Sequence, residues 1–166
     1  MEMVPTPQQQ TALNLLALFR QQLEKSSEIC DMLESMADDL PRRSATIWRT
    51  AKHQCRQVLE DHITLGSELI IPTLSAHVES NALHRNVLSR FHLEYQALAN
   101  FSDNLDDLLD DALSNDQANI GSEALGFALR THFDLLRKTI GWELDVLEPM
   151  IKAIPHVKST NGLSKQ

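Results

Sequence analysis

The chain is short of the residues that break a backbone into short pieces. Only 5 glycines and 6 prolines are spread over 166 residues. A sandwich or barrel of short strands needs turn signals roughly every 8–12 positions, so that class is excluded and a few long helices are favoured. There are only 2 cysteines, Cys30 and Cys55, with no CxxC pair, which excludes a disulfide framework. They read as small buried apolar residues of a reducing compartment. Basic residues are outnumbered, 15 against 23 acidic, for a net charge of −8, and no basic patch offers a nucleic acid its usual footprint. No apolar run approaches the ~20 residues that span a bilayer. The opening "MEMVPTPQ" has no basic segment followed by an apolar run, so no signal peptide is expected and the cytoplasm is the expected location. Glycine-rich phosphate loops, G-x-S-x-G and HExxH are all missing, which leaves the common catalytic motifs without a candidate.

What is present is helical periodicity. Hydrophobic residues make up 42% of the chain and recur at spacings of three and four in four long segments. In the first, from about Gln9 to Asp38, the stripe is Leu16, Phe19, Leu23, Ser26, Cys30 and Leu33. Pro41 opens the second, where a missing N–H is harmless; its stripe is Ala51, Cys55, Val58, His62, Leu65, Leu69 and Pro72. The third starts near Ser80 and carries Val87, Phe91, Leu98, Phe101, Leu105 and Leu108, with Leu88, His92, Tyr95 and Ala99 beside them. The fourth starts near Ser122, read as its N-cap, and carries Leu125, Leu129, His132, Leu136, Thr139, Glu143, Val146 and Met150. These are the seams of an all-α, antiparallel up-down four-helix bundle over residues 9–153, with flexible tails at 1–8 and 154–166. The acidic run Asp103, Asp106, Asp107, Asp110 and Asp111 reads as a solvated helix face.

Several seam positions are polar: His62 on the second stripe, His132, Thr139 and Glu143 on the fourth, and His92 on or beside the third. A buried carboxylate is costly unless paired, hydrogen-bonded or bound to metal, which makes Glu143 the strongest candidate. A seam histidine is either a hydrogen-bonded core residue or a ligand. Thr139 is expected to bond back to its own helix. His53, His77, His84 and His156 lie off the seams and are expected in solvent.

The second and fourth segments end alike, in "ELIIPTL" and "ELDVLEPMI": an acidic residue, apolar residues, then a proline. This resembles the hemerythrin-like (HHE cation-binding) family, over about residues 9–153. The family's fold is an up-down four-helix bundle in which each half carries a His-x-x-x-Glu pair, six residues before a proline, that helps hold two irons. Positions i and i+4 share a helix face, so both side chains reach one metal. Counting back from Pro72, the resemblance assigns the pair to His62 and Gly66; counting back from Pro149, to Thr139 and Glu143. His92 matches the extra histidine of the third helix, and the first helix's histidine position falls on Leu23. The ligand set implied is thus reduced to His62, His92 and Glu143, with His132 on the same face as Thr139 as a fourth donor. A second register matches "LGSEL" to "IGWEL", pairing Glu68 with Glu143, but its proline spacings disagree by two.

Three functional readings follow. The first is a hemerythrin-like bundle that has lost its di-iron site and works without a cofactor as a non-catalytic regulatory or interaction protein, through a protein partner or a homodimer. The second keeps a reduced His/His/Glu site for one iron or another divalent metal. The third rests on His62-Ile63-Thr64-Leu65-Gly66-Ser67, which is similar to the phosphorylated segment of histidine phosphotransfer bundles, with Leu65 where those carry lysine. That reading requires an exposed His62. The reduced volume at Leu23 and Gly66 also leaves room for a small apolar ligand in the core.

Overall fold

The computed structural model describes residues 7–40, 44–77, 82–114 and 121–154, and among them there is helix and no strand. The helices are α1 (Pro7–Asp38), α2 (Ala45–Thr64), α3 (Ile71–His77), α4 (Ala82–Ser114) and α5 (Ser122–Ala153). A π-helical segment, Leu65–Ile70, joins α2 to α3, and its flanking residues Thr64 (φ −62°, ψ −48°) and Ile71 (φ −59°, ψ −48°) stay right-handed helical. The segment 45–77 is therefore one rod with a widened turn. That turn precedes Pro72, which has no N–H to give to the ladder and would crowd the carbonyl of an ordinary preceding turn. Ile71 N–H instead bonds back five residues to the Gly66 carbonyl.

The helix starts differ in detail from the sequence reading. Pro41 and Ser80 lie outside the described residues; α2 begins at Ala45, where the Ser44 hydroxyl accepts from Ile47 N–H at 3.5 Å. Gly121, not Ser122, occupies the N-cap of α5, with extended backbone (φ −58°, ψ 146°) and no side-chain cap. Of the expected tails, residues 1–6 and 155–166 lie outside the described residues, and Ile154 is buried.

Ion pairs between the rods show their relative directions. Along α1 and α5, Arg20 meets Glu148 at 2.6 Å, Asp31 meets Arg137 at 2.8 Å and Asp38 meets Arg130 at 2.9 Å, so the two helices run in opposite senses. Along α2 and α4, Lys52 meets Asp106 at 3.3 Å and Asp110 at 2.5 Å, while Gly66 further along α2's rod meets the earlier residue Tyr95. The acidic run of α4 is thus partly an interhelical pairing strip, with Asp103, Asp107 and Asp111 left in solvent. Helix α2 lies beside α1, where Gln22 Nε2 donates to the Val58 carbonyl at 2.8 Å and Ser26 meets His62 at 3.2 Å.

The core runs the length of the rods. In α2 and its continuation the buried line is Trp48, Ala51, Cys55, Leu59, His62, Gly66, Ile70 and Leu74. In α5 it is Leu125, Leu129, Phe133, Leu136, Ile140, Glu143, Leu147 and Ile151. The expected stripes were rotated by about one position: Val58, Leu65, His132, Thr139, Val146 and Met150 sit at the edge, and Leu69 is 43% exposed. Apolar residues on both sides of a stripe admit two adjacent registers, and only the neighbouring helices choose between them.

Glu148, held by Arg20 and Lys152, has its carboxyl pulled down to about 2 by those two hydrogen bonds. A depressed folded value means the pair stabilises fully above the ordinary carboxylate range and loses that contribution as pH falls through about 2. Urea unfolding of Glu148→Gln is therefore expected to show a lower midpoint than the parent at pH 7, with the gap narrowing steadily between pH 4.5 and 2.

Candidate functional site

One polar side chain from each of four rods meets in the middle of the bundle: Ser26 of α1, His62 of α2, Tyr95 of α4 and Glu143 of α5. All are buried, with exposures of 0%, 3%, 3% and 0% in that order. The Glu143 Oε1 atom accepts from the Tyr95 hydroxyl at 2.6 Å and lies 3.1 Å from His62 Nε2. On the other side of the imidazole, Nδ1 lies 3.2 Å from Ser26 Oγ. A carboxylate can only accept, so Nε2 carries a hydrogen and donates to it. In the neutral imidazole Nδ1 is then the acceptor of the Ser26 hydroxyl hydrogen. Burial, then the charge of Glu143 and the bond to it, push the Tyr95 phenol far above its ordinary range, so it stays a neutral donor. The second carboxylate oxygen, Oε2, is buried with no hydrogen-bond partner among the described residues.

Gly66 explains how the ring reaches the carboxylate. A Cβ built on Gly66 would lie 2.1 Å from Tyr95 Cζ and 2.5–2.6 Å from the Cε atoms, so the phenol ring rests directly on the helix backbone. No other residue permits that approach. His62 and Tyr95 have their ring centroids 5.8 Å apart.

The expected donors do not all assemble. His62 and Glu143 do. His92 instead faces solvent, sharing a 3.1 Å hydrogen bond with Gln96, and Tyr95, three residues on, takes the inward position. His132 sits half-buried, its Nδ1–H donating to the Ala128 carbonyl at 2.7 Å and its ring 4.5 Å from Phe101. His132 departs because the α5 seam is rotated as described above, and His92 because it lies just off the buried α4 line of Leu88, Phe91, Tyr95 and Leu98. Thr139 bonds back to the Leu135 carbonyl at 3.1 Å, Leu23 is core, and Glu68 is exposed. Of the remaining histidines, His53 and His84 are exposed, His77 is half-buried with its Nδ1–H on the Thr73 carbonyl, and His156 lies outside the described residues. Ser26 and Tyr95 were visible on or beside the stripes but drew no functional reading. Their signal was a hydroxyl at a seam position one helix away from a seam histidine or carboxylate.

The chemistry open to this cluster is narrow. Ser26–His62–Glu143 has the connectivity of a nucleophile relay, but Ser26 has no exposed surface for an acyl donor to reach. A phosphoryl donor meets the same obstacle at His62, whose two ring nitrogens are already engaged. The di-iron group implied by the resemblance does not fit. One imidazole and one carboxylate remain of its donors, a neutral phenol stands beside them, and that ring fills the space over Gly66. Among the described residues no group of three or more His, Cys, Asp or Glu side chains is gathered as a metal site.

Comparison of the chain with protein-family models, with curated proteins and with solved structures finds no match. The site must be read from its own geometry.

Gly66→Ala gains roughly 1 kcal/mol in helix propensity, but its methyl would overlap the Tyr95 ring, an overpacking that typically costs about 1–3 kcal/mol. Denaturant titration is expected to show a net loss of stability, and the same change made in a Tyr95→Ala background is expected to be neutral or stabilising. Tyr95→Phe keeps the ring but removes the donor to Glu143 and is expected to cost about 1.5–3 kcal/mol, the usual range for a hydrogen bond to a charged group.

Proposed function

We propose that this protein is a metal-independent, hemerythrin-like bundle, antiparallel and up-down, that acts as a non-catalytic regulatory or interaction protein. The observation carrying this reading is the Glu143 carboxylate. It sits at the centre of the bundle, where a cofactor-bearing bundle keeps its ligands, and a protein phenol and imidazole occupy it. Hydrogen bonds that cross between helices in a buried network, here on Glu143 Oε1 and both ring nitrogens of His62, rigidify a fold and specify its register. Such a network does not present a reactive group. The burial of Ser26, His62 and Glu143 supports function through the outer faces of the rods rather than through the interior.

The partner in this reading is another protein or a second copy of the chain, with neither nucleic acid nor membrane involved. Among the described residues no helix is long and apolar enough to cross a membrane, and the charge balance of −8 opposes a polyanion. The second reading, one divalent metal, is supported by a single feature: His62 Nε2 and Glu143 Oε1 are 3.1 Å apart, a separation that two ligands of one ion can have.

Elemental analysis of protein purified without chelator, repeated after anaerobic incubation with Fe(II), Mn(II) and Zn(II), separates the two. Less than about 0.1 metal per chain is expected under every condition. Near one metal per chain, abolished by His62→Ala, would replace the metal-independent reading, and two irons per chain would show that the donor set is wrong.

A further inference from the structure

The buried His62–Glu143 pair brings together one imidazole and one carboxylate, two donor types that divalent metals take. The imidazole Nε2 and the nearer carboxylate oxygen stand 3.1 Å apart across their hydrogen bond, close enough that an ion at ~2.0–2.2 Å from each would take the place of the Nε2 hydrogen. The farther oxygen, Oε2, is buried and has no hydrogen-bond partner among the described residues. It is free to make the carboxylate bidentate. With an ion on Nε2 the imidazole would carry its hydrogen on Nδ1, and Ser26 Oγ, 3.2 Å away, would turn from donor to acceptor and fix that tautomer. Among the described residues, one further group stands on the carboxylate, the Tyr95 hydroxyl.

We infer that Tyr95 is the plug of a latent divalent-cation site, its phenol ring seated in the side-chain space of Gly66 and its hydroxyl holding the Glu143 oxygen that an ion would take. The inference rests on the metal-independent reading above and adds the reason for it. Position 66 lies one helical turn beyond His62, on the same face of α2's rod, so any side chain there would point into the cluster. Gly66 has none. The ring comes within 2.1 Å of where its Cβ would be and leaves no room for a donor. The hydroxyl is 2.6 Å from Oε1, short enough for a strong bond to a charged acceptor. Exclusion of metal is on this account local, the work of one residue, and reversible by changing that residue alone.

The other places in the molecule carry less. A groove of about 550 Å³ between α3 and α4, lined by Ile71, Arg85, Leu88, His92 and Leu93, has nothing in the structure to say what covers it. Cys30 and Cys55 are both buried, and burial raises their thiols to about 11 and about 12, leaving them unreactive.

Cobalt(II) tests the plug, since its visible absorption reports ligation directly. Wild type, Tyr95→Phe, Tyr95→Ala and Tyr95→Ala/His62→Ala are each titrated anaerobically with Co(II), with helix content followed by circular dichroism. No visible band is expected for wild type or Tyr95→Phe, in which the ring still fills the seat. A band saturating near one Co(II) per chain is expected for Tyr95→Ala, together with at least a tenfold loss of affinity in the double variant. If Tyr95→Ala is folded and binds no Co(II), the plug is refuted while the metal-independent reading stands. If wild type binds Co(II) through His62, both fall. Should Tyr95→Ala lose its helix content, Tyr95→Leu, which keeps an apolar filling without a planar ring on Gly66, takes its place in the titration under the same two criteria.

Discussion

The carboxylate of Glu143 sits in the middle of an apolar bundle with no surface exposed to water. Left alone it would be among the most destabilising groups a core can hold. Every neighbouring choice makes sense as a response to it. Tyr95 donates to it from α4, His62 donates from α2, and Ser26 satisfies the far side of the imidazole from α1. The hydrogen-bond chain crosses the bundle from rod to rod. A slip of α2, α4 or α5 by one turn would take donors from a buried charge, and a slip of α1 would leave the imidazole Nδ1 unpartnered, so the polar centre enforces an alignment that interchangeable leucines would leave loose.

That constraint reaches into the backbone. The Tyr95 ring can approach Glu143 only over a residue without a side chain, which places glycine inside a helix where its propensity is poor. The π-helical turn that begins beside it, at Leu65, rotates the remainder of the rod and hands on to a proline. A locally unfavourable residue, a widened turn and a proline thus sit together within eleven residues of His62, the pattern expected where packing at a special site overrides local preference. The ends of the bundle are held differently, by exposed and half-exposed ion pairs along α1–α5 and α2–α4. Such pairs are individually worth little and set orientation more than stability.

Much of the helical architecture was legible in the chain. Scarce glycine and proline, with spacings of three and four, give long helices, and these emerge in the described residues at nearly the expected places. Two of the four polar residues at the centre, His62 and Glu143, were legible too, because a titratable group on an apolar stripe is anomalous by itself. His92 and His132 were misplaced for a physical reason. Periodicity locates a stripe to within about 100°, and a residue at the stripe's edge turns in or out according to its neighbour helix. In α4 the flatter, larger Tyr95 fills the inward place and His92 is left to solvent.

What the sequence determined by itself is therefore the class of fold, the approximate limits of the rods, and the presence of a charged group that the core had to accommodate. These depend on local spacing and on the cost of burying charge, both of which are properties of the chain alone. What only the tertiary structure decided is who satisfies that charge. Ser26 and Tyr95 are ordinary seam hydroxyls until the packing of the rods brings them within 3.2 Å and 2.6 Å of their partners. Gly66 is likewise a defect in its own helix and becomes a seat only when an aromatic ring from another helix is laid on it. Hydrogen bonds act over about 3 Å, and no pattern along one helix specifies which residue of another will stand at that distance.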